Sequence, residues 1–176
     1  MGSSGETRGP GLSGVGAVIF VTVGSQMPFD RMVRAVDNWA ARQSSVKVFA
    51  QIGDSEYQPR SMEWVRLLDP EAYKQRFLEA ELIVSHAGMG TVISAAEYGK
   101  PLLVLPRRGD LRETRNDHQV ATAKWLEKLG GIRVAMDETM LGQALDDRAS
   151  ITLPNAIERV APDGLVAEIR RFIANC

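Results

Sequence analysis

The feature that most constrains this chain is an alternation of short apolar runs with longer segments of helical period. Residues 17–23 (AVIFVTV), 46–52 (VKVFAQI), 81–85 (ELIVS) and 102–105 (LLVL) are nearly continuous in apolar, often β-branched, side chains. That is the pattern of strands buried on both faces rather than one. Shorter strands are expected over 64–68 and 132–135. Between them lie helical segments. Residues 29–43 place Phe29, Met32, Val33, Val36 and Ala40 at core spacing. Asp69-Pro70-Glu71 reads as a capped helix start running to residue 79. Further helices are expected from Thr91 to Tyr98 (ended by Gly99 and Pro101), over 116–129 (stopped by Gly130-Gly131), over 138–146 and over 162–174. Strands separated by helices need crossover connections. The expected fold class is therefore α/β, a single Rossmann-like domain with a mostly parallel sheet and helices on both faces. In such sheets ligands sit at the carboxyl ends of the strands, near the topological switch point.

The 176 residues suit one domain, expected over 17–176 behind a Gly/Ser-rich disordered leader at 1–16 that has no apolar h-region. The formal net charge of −1 argues against a general nucleic-acid binder. The one cysteine, Cys176, precludes a disulfide within the chain and any cysteine zinc cluster, and a count of two histidines, His86 and His118, argues against a histidine-rich metal site. A reduced, cytosolic setting follows. No run approaches the roughly 20 apolar residues that span a bilayer.

The glycine-rich interruptions fall at the strand ends. Gly24-Ser25-Gln26 follows the first strand, where a glycine admits close approach of backbone amides and the two polar side chains add donors; the same residues also suit a tight turn that binds nothing. Ser85-His86-Ala87-Gly88-Met89-Gly90-Thr91 joins a strand to a helix, whose free N–H groups and positive dipole end suit a phosphate. His86 either donates to a phosphate oxygen or is satisfied by backbone in a turn. Glu97, near the far end of that helix, is placed to accept from ribose hydroxyls or to be solvated. Asp117 and Gln119 are residue types that grip sugar hydroxyls, and Asp117 also suits a helix cap. Four arginines (Arg107, Arg108, Arg112, Arg115) and two acids share the loop at 106–115; they contact phosphate or an acidic partner, or form a solvated mixed-charge loop. GxGxxG does not follow the first strand, and GxxxxGK[ST] is absent, which argues against a nicotinamide enzyme and a P-loop kinase. YxxxK is absent too, which discounts a nicotinamide-dependent epimerase.

As a set, FVTVGSQ, QIGDSEY, ELIVSHAGMGTVISAAEYGKPLLVLPR and NDHQ resemble the C-terminal domain of family 28 glycosyltransferases, in particular the small stand-alone donor-binding subunits of dolichol-pathway and bacterial exopolysaccharide transferases. The resemblance spans residues 18–134. It implies the C-terminal half of a B-type glycosyltransferase fold and a UDP-sugar donor. Gly24, Ser25, Gln26, His86, Gly88, Gly90 and Thr91 would then hold the diphosphate, with His86 a candidate stabiliser of the leaving group. Glu97 would take the ribose, Asp117 and Gln119 the sugar, and Gly53, Leu67 and Leu68 the uracil. It further implies transfer to a lipid-linked saccharide, a separate membrane-associated subunit that binds the acceptor, and a cytoplasmic location peripheral to the membrane through that partner. No cofactor is expected, and no metal, because no DxD-like motif falls on a loop at the site. A non-catalytic nucleotide-sugar-binding regulatory or scaffold module is the alternative.

Overall fold

The computed structural model describes residues 18–25, 27–115, 117–129 and 131–151. The expected helix at 162–174, the leader at 1–16 and Gln26 lie outside the described residues. Among the described residues there are six strands: β1 (Val18–Thr22), β2 (Lys47–Gln51), β3 (Glu63–Val65), β4 (Leu82–His86), β5 (Leu102–Leu105) and β6 (Ile132–Val134). Five α-helices among them connect or follow the strands: α1 (Asp30–Ala40), α2 (Pro70–Glu79), α3 (Met89–Glu97), α4 (His118–Leu129) and α5 (Glu138–Asp146). All the strand pairs are parallel, in the order β3-β2-β1-β4-β5-β6. The order reverses between β1 and β4, and this is the switch point where a doubly wound sheet opens a crevice.

The two faces of β1, β2, β4 and β5 feed two cores because side chains alternate across a sheet. Ile19 and Val21 of β1 pack with Met32, Val33, Val36 and Trp39 of α1 and Leu141 and Leu145 of α5. Phe20, between them in sequence, packs on the other side with Phe77 of α2, Val92 of α3 and Leu126 of α4. Phe20 meets Phe77 and Tyr73 edge-on, with ring centroids 6.3 and 5.3 Å away. Burial of both faces is why these strands read as continuous apolar runs.

Local signals set most element ends. The Asp69 carboxylate accepts from the Ala72 N–H at 2.8 Å, with Pro70 in the first turn of α2. Asp137 caps α5 the same way, accepting from the Met140 N–H at 2.8 Å. α1 stops at Ala40, short of the expected residue 43, because the chain tightens there: the Arg42 and Gln43 N–H groups reach back only three residues, to Trp39 and Ala40. Asp37 on α1 is buried, which its apolar neighbours did not foretell. Its carboxylate accepts from the Tyr57 hydroxyl (2.7 Å) and from the Arg60 and Ser61 N–H groups (3.1 and 2.7 Å), so it anchors the β2–β3 loop. Asp146 is likewise structural, accepting from the Trp39 indole at 2.8 Å.

Candidate functional site

At the switch point the β1–α1 loop, the amino end of α3 and the loops after β3 and β5 surround a cleft of about 880 Å³. The chain leaves β1 through Gly24, whose φ of +81° is a left-handed conformation that favours glycine. It leaves β4 through His86 and enters α3 at Gly88, the N-cap, with no side chain bonded to the first turn. The N–H groups at the start of α3 therefore remain for a ligand, and the helix dipole favours a negative one.

The two glycines nearest His86 serve the histidine. A Cβ on Gly24 would stand 2.7 Å from His86 Cε1, and one on Gly88 would stand 2.1 Å from Nε2. The imidazole occupies the space that side chains there would need. Gly90 differs, since a Cβ there would meet nothing within 4 Å. Burial, and after it the Arg107 charge, push the His86 pKa down to about 4, with the Thr22 backbone partly opposing the shift. The ring is thus neutral near pH 7, and its Nδ1 has no hydrogen-bond partner among the described residues. It can donate one hydrogen bond to an anion but brings no charge.

Charge comes from Arg107, buried at 3% exposure on the loop after β5. Its guanidinium donates to the carbonyls of Val23 (2.7 Å), Met27 (2.7 Å) and Pro28 (3.1 Å), and so pins the β1–α1 loop. The other members of the basic loop are placed differently. Arg108 pairs with Asp110 at 2.6 Å, and Arg112 and Arg115 are exposed. Arg31 of α1 grips Glu113 through two bonds of 2.6 and 2.9 Å and adds the Pro106 carbonyl at 2.8 Å. Burial opposes the Arg31 charge, but the Glu113 carboxylate and Glu138 raise its pKa above the ordinary value.

Of the residues singled out from sequence, Gly24, Ser25, His86, Gly88, Gly90, Thr91, Leu67, Leu68 and Gln119 line the cleft. Gln26 lies outside the described residues. Glu97, Asp117 and Gly53 are not among the lining residues. Glu97 is exposed at the end of α3; one turn earlier Ser94 lines the cleft, with Gly90, Thr91 and Tyr98 on the same side. Asp117 Oδ1 accepts from the Gly109 N–H at 2.7 Å, closing the 106–115 loop on itself. Gly53 lies behind the β1–α1 loop, its φ of +56° placing a Cβ 3.3 Å from Val23 Cγ2. Gln119 has one committed atom, Oε1, which accepts from the Arg107 N–H at 3.1 Å.

Gln51, Tyr73, Lys74, Ser94 and His118 also line the cleft and were not singled out. Gln51 Oε1 accepts from the Leu68 N–H at 2.9 Å and so sets the position of the β3–α2 loop. Tyr73 is half-buried beside Thr22 and Thr91; burial raises its pKa while those hydroxyls oppose the rise. Helical spacing from Thr91 could have found Ser94, but nothing local marks Gln51 or Tyr73. Among the described residues no group of three or more His, Cys, Asp or Glu side chains comes together as a metal site.

Comparison with known proteins agrees with this geometry. The glycosyltransferase family 28 C-terminal domain matches residues 18–155. The UDP-N-acetylglucosamine transferase subunit ALG13 of Homo sapiens is 32% identical over 122 residues, covering 64% of this chain and 10% of that protein. The UDP-N-acetylglucosamine–N-acetylmuramyl-(pentapeptide) pyrophosphoryl-undecaprenol N-acetylglucosamine transferase of Solibacter usitatus is 37% identical over 67 residues, covering 38% of this chain and 18% of that one. This chain thus spans less than a fifth of either relative. In structure, the kitacinnamycin glycotransferase superposes with a TM-score of 0.63 at 23% identity, covering 93% of this chain and 42% of that chain. MurG of Acinetobacter baumannii gives 0.55 at 20% identity, covering 91% and 51%. The solution structure of ALG13 gives 0.55 at 15% identity, covering 79% and 89%. These likenesses speak to the fold, and the family match speaks to descent: the chain belongs to the glycosyltransferase family 28 C-terminal domain.

Proposed function

We propose that this chain binds the UDP-sugar donor of a glycosyltransferase. The observation that carries the reading is the meeting, at one cleft, of an uncapped helix amino end, the loop held by Arg107 and the neutral His86. In this reading the diphosphate lies against the α3 amides, with His86 donating to an oxygen of the departing UDP. Ser94 and Tyr98 face the ribose together with Glu97, one turn beyond Ser94 on the same helix face, Leu67 and Leu68 flank the uracil, and His118 and Gln119 face the sugar. Transfer breaks the bond between the anomeric carbon and the diphosphate oxygen and joins that carbon to an acceptor hydroxyl, whose proton passes to a base. A preorganised positive site of this kind stabilises the leaving charge in the way a divalent ion otherwise would. We therefore expect donor binding to persist in EDTA, and its strict loss would overturn metal independence.

The acceptor side belongs to the same proposal. The human relative is named a transferase subunit, which supports a separate acceptor-binding subunit. In this reading that subunit is associated with the membrane and presents a lipid-linked saccharide at its cytoplasmic face. Among the described residues no helix is long and apolar enough to cross a membrane. The test is calorimetric titration of the purified chain with UDP, UDP-sugars and uridine. Saturable binding of UDP, much tighter than uridine, is the expected outcome. Uridine binding as tight as UDP would remove the diphosphate from the account. Robust transfer to a lipid-linked acceptor by the chain alone would overturn the dependence on a partner.

A further inference from the structure

Arg107 is buried without a counter-ion. Arg31 has Glu113 and Glu138, and Arg108 has Asp110, but no carboxylate among the described residues lies within ion-pair distance of Arg107. Of the two acids on its loop, Asp110 is paired with Arg108, and Glu113 is taken by the two bonds from Arg31 and by the Arg108 N–H at 2.9 Å. What Arg107 has instead is three carbonyls of the β1–α1 loop and the face of Phe29, 5.0 Å from the guanidinium carbon to the ring centroid. Its Nε is buried with no hydrogen-bond partner. Removing a guanidinium from water is costly, and carbonyl dipoles with one aromatic face offset only part of that cost. Burial accordingly lowers its pKa from the ordinary value, and the Glu113 charge only partly restores it. Because Arg107 also lines the cleft, a ligand there is in position to supply the missing negative charge.

We propose that Arg107 is a positioning residue that couples the ligand's diphosphate to the β1–α1 loop, fixing the loop through three carbonyls while its uncompensated charge is balanced by the bound diphosphate. The inference rests on the donor reading above for the identity of the ligand. A planar fork that reaches three carbonyls at once needs arginine, because a lysine ammonium carries the charge without that geometry. The loop and the charge are thereby one device, since the carbonyls that hold the guanidinium belong to the segment carrying Gly24 and Ser25.

The experiment titrates the wild type, Arg107→Lys and Arg107→Gln with UDP, uridine and inorganic pyrophosphate. Loss of a charge-assisted interaction should weaken UDP and pyrophosphate by about tenfold or more in Arg107→Gln and leave uridine unchanged. Arg107→Lys should retain more of the UDP affinity than Arg107→Gln. Equal losses in the two variants, or none in Arg107→Gln, overturn the proposal. Should the variants fail to fold, the wild type still decides it: the Arg107 Nε–H resonance should move on saturation with pyrophosphate, and an unmoved resonance overturns the coupling. If the wild type binds pyrophosphate with this dependence on Arg107 but gains nothing from the uridine moiety, the donor reading falls and the role of Arg107 stands. If UDP binds wild type and Arg107→Gln alike, the donor reading stands and the role of Arg107 falls.

Discussion

A methyl group added at position 88 would stand 2.1 Å from the His86 ring, while one added at position 90 would meet nothing within 4 Å. The two glycines of one turn therefore answer to different demands, and substitution separates them. Gly88→Ala forces the imidazole from its seat and should destabilise the fold by about 2 kcal/mol, as overpacking does. Gly90→Ala should stabilise it by about 0.5 kcal/mol through the unfolded chain, while its methyl intrudes on the cleft and weakens UDP. Urea unfolding and calorimetry on both variants check these opposed signs. His86 adds a dependence on pH. Its pKa falls from 6.5 to about 4 on folding, so the unfolded chain takes up the proton first as pH drops. The stability that His86 confers is full above about pH 6.5, declines toward pH 4 and changes no further below, a span of roughly 3 kcal/mol. The difference between wild type and His86→Gln in urea unfolding from pH 7.5 to 4 should show that decline, and a flat difference would refute the burial account.

At the scale of elements, the cleft is shaped by ties between segments far apart in the chain. Arg31 on α1 binds Glu113 on the β5–α4 loop across 82 residues, with side chains only 11% and 12% exposed, and reaches Glu138 on α5 at 3.2 Å. Breaking such a pair leaves a buried charge poorly compensated. Glu113→Ala should cost about 3 kcal/mol and speed amide exchange across residues 107–115. Exchange unchanged in that loop would mean that the ion pair does not hold it. The start of α2 was legible from the residues alone, because Asp69 caps the N–H three residues on with a proline beside it; the matching cap of α5 by Asp137 came only from the structure. How far the cleft reaches along α3 was less legible. Gly90, Thr91, Ser94 and Tyr98 line the cleft, while Glu97, one turn past Ser94 on the same helix face, is exposed beyond that lining.

For the molecule as a whole, a ligand that binds only the folded state stabilises all of it. At a UDP concentration of 100 times Kd the gain is about 2.7 kcal/mol, which for a domain of this size raises Tm by roughly 5–10 °C. Uridine at the same concentration should do much less, and equal shifts would argue that the diphosphate makes no contact. The alternation of buried strands and amphipathic helices, the parallel sheet and the position of the glycine-rich loops at its carboxyl ends were all readable from order and periodicity. Those properties follow from neighbours a few residues apart, whose spacing fixes which face is apolar and where the chain must turn. The seat of His86 between Gly24 and Gly88, the burial of Arg107 under the β1–α1 loop and the part that Gln51 and Tyr73 take in the cleft were not readable in that way. Each depends on distances between segments joined only by packing, and a residue type carries no record of which distant atoms it will meet once two layers of helices close on a twisted sheet.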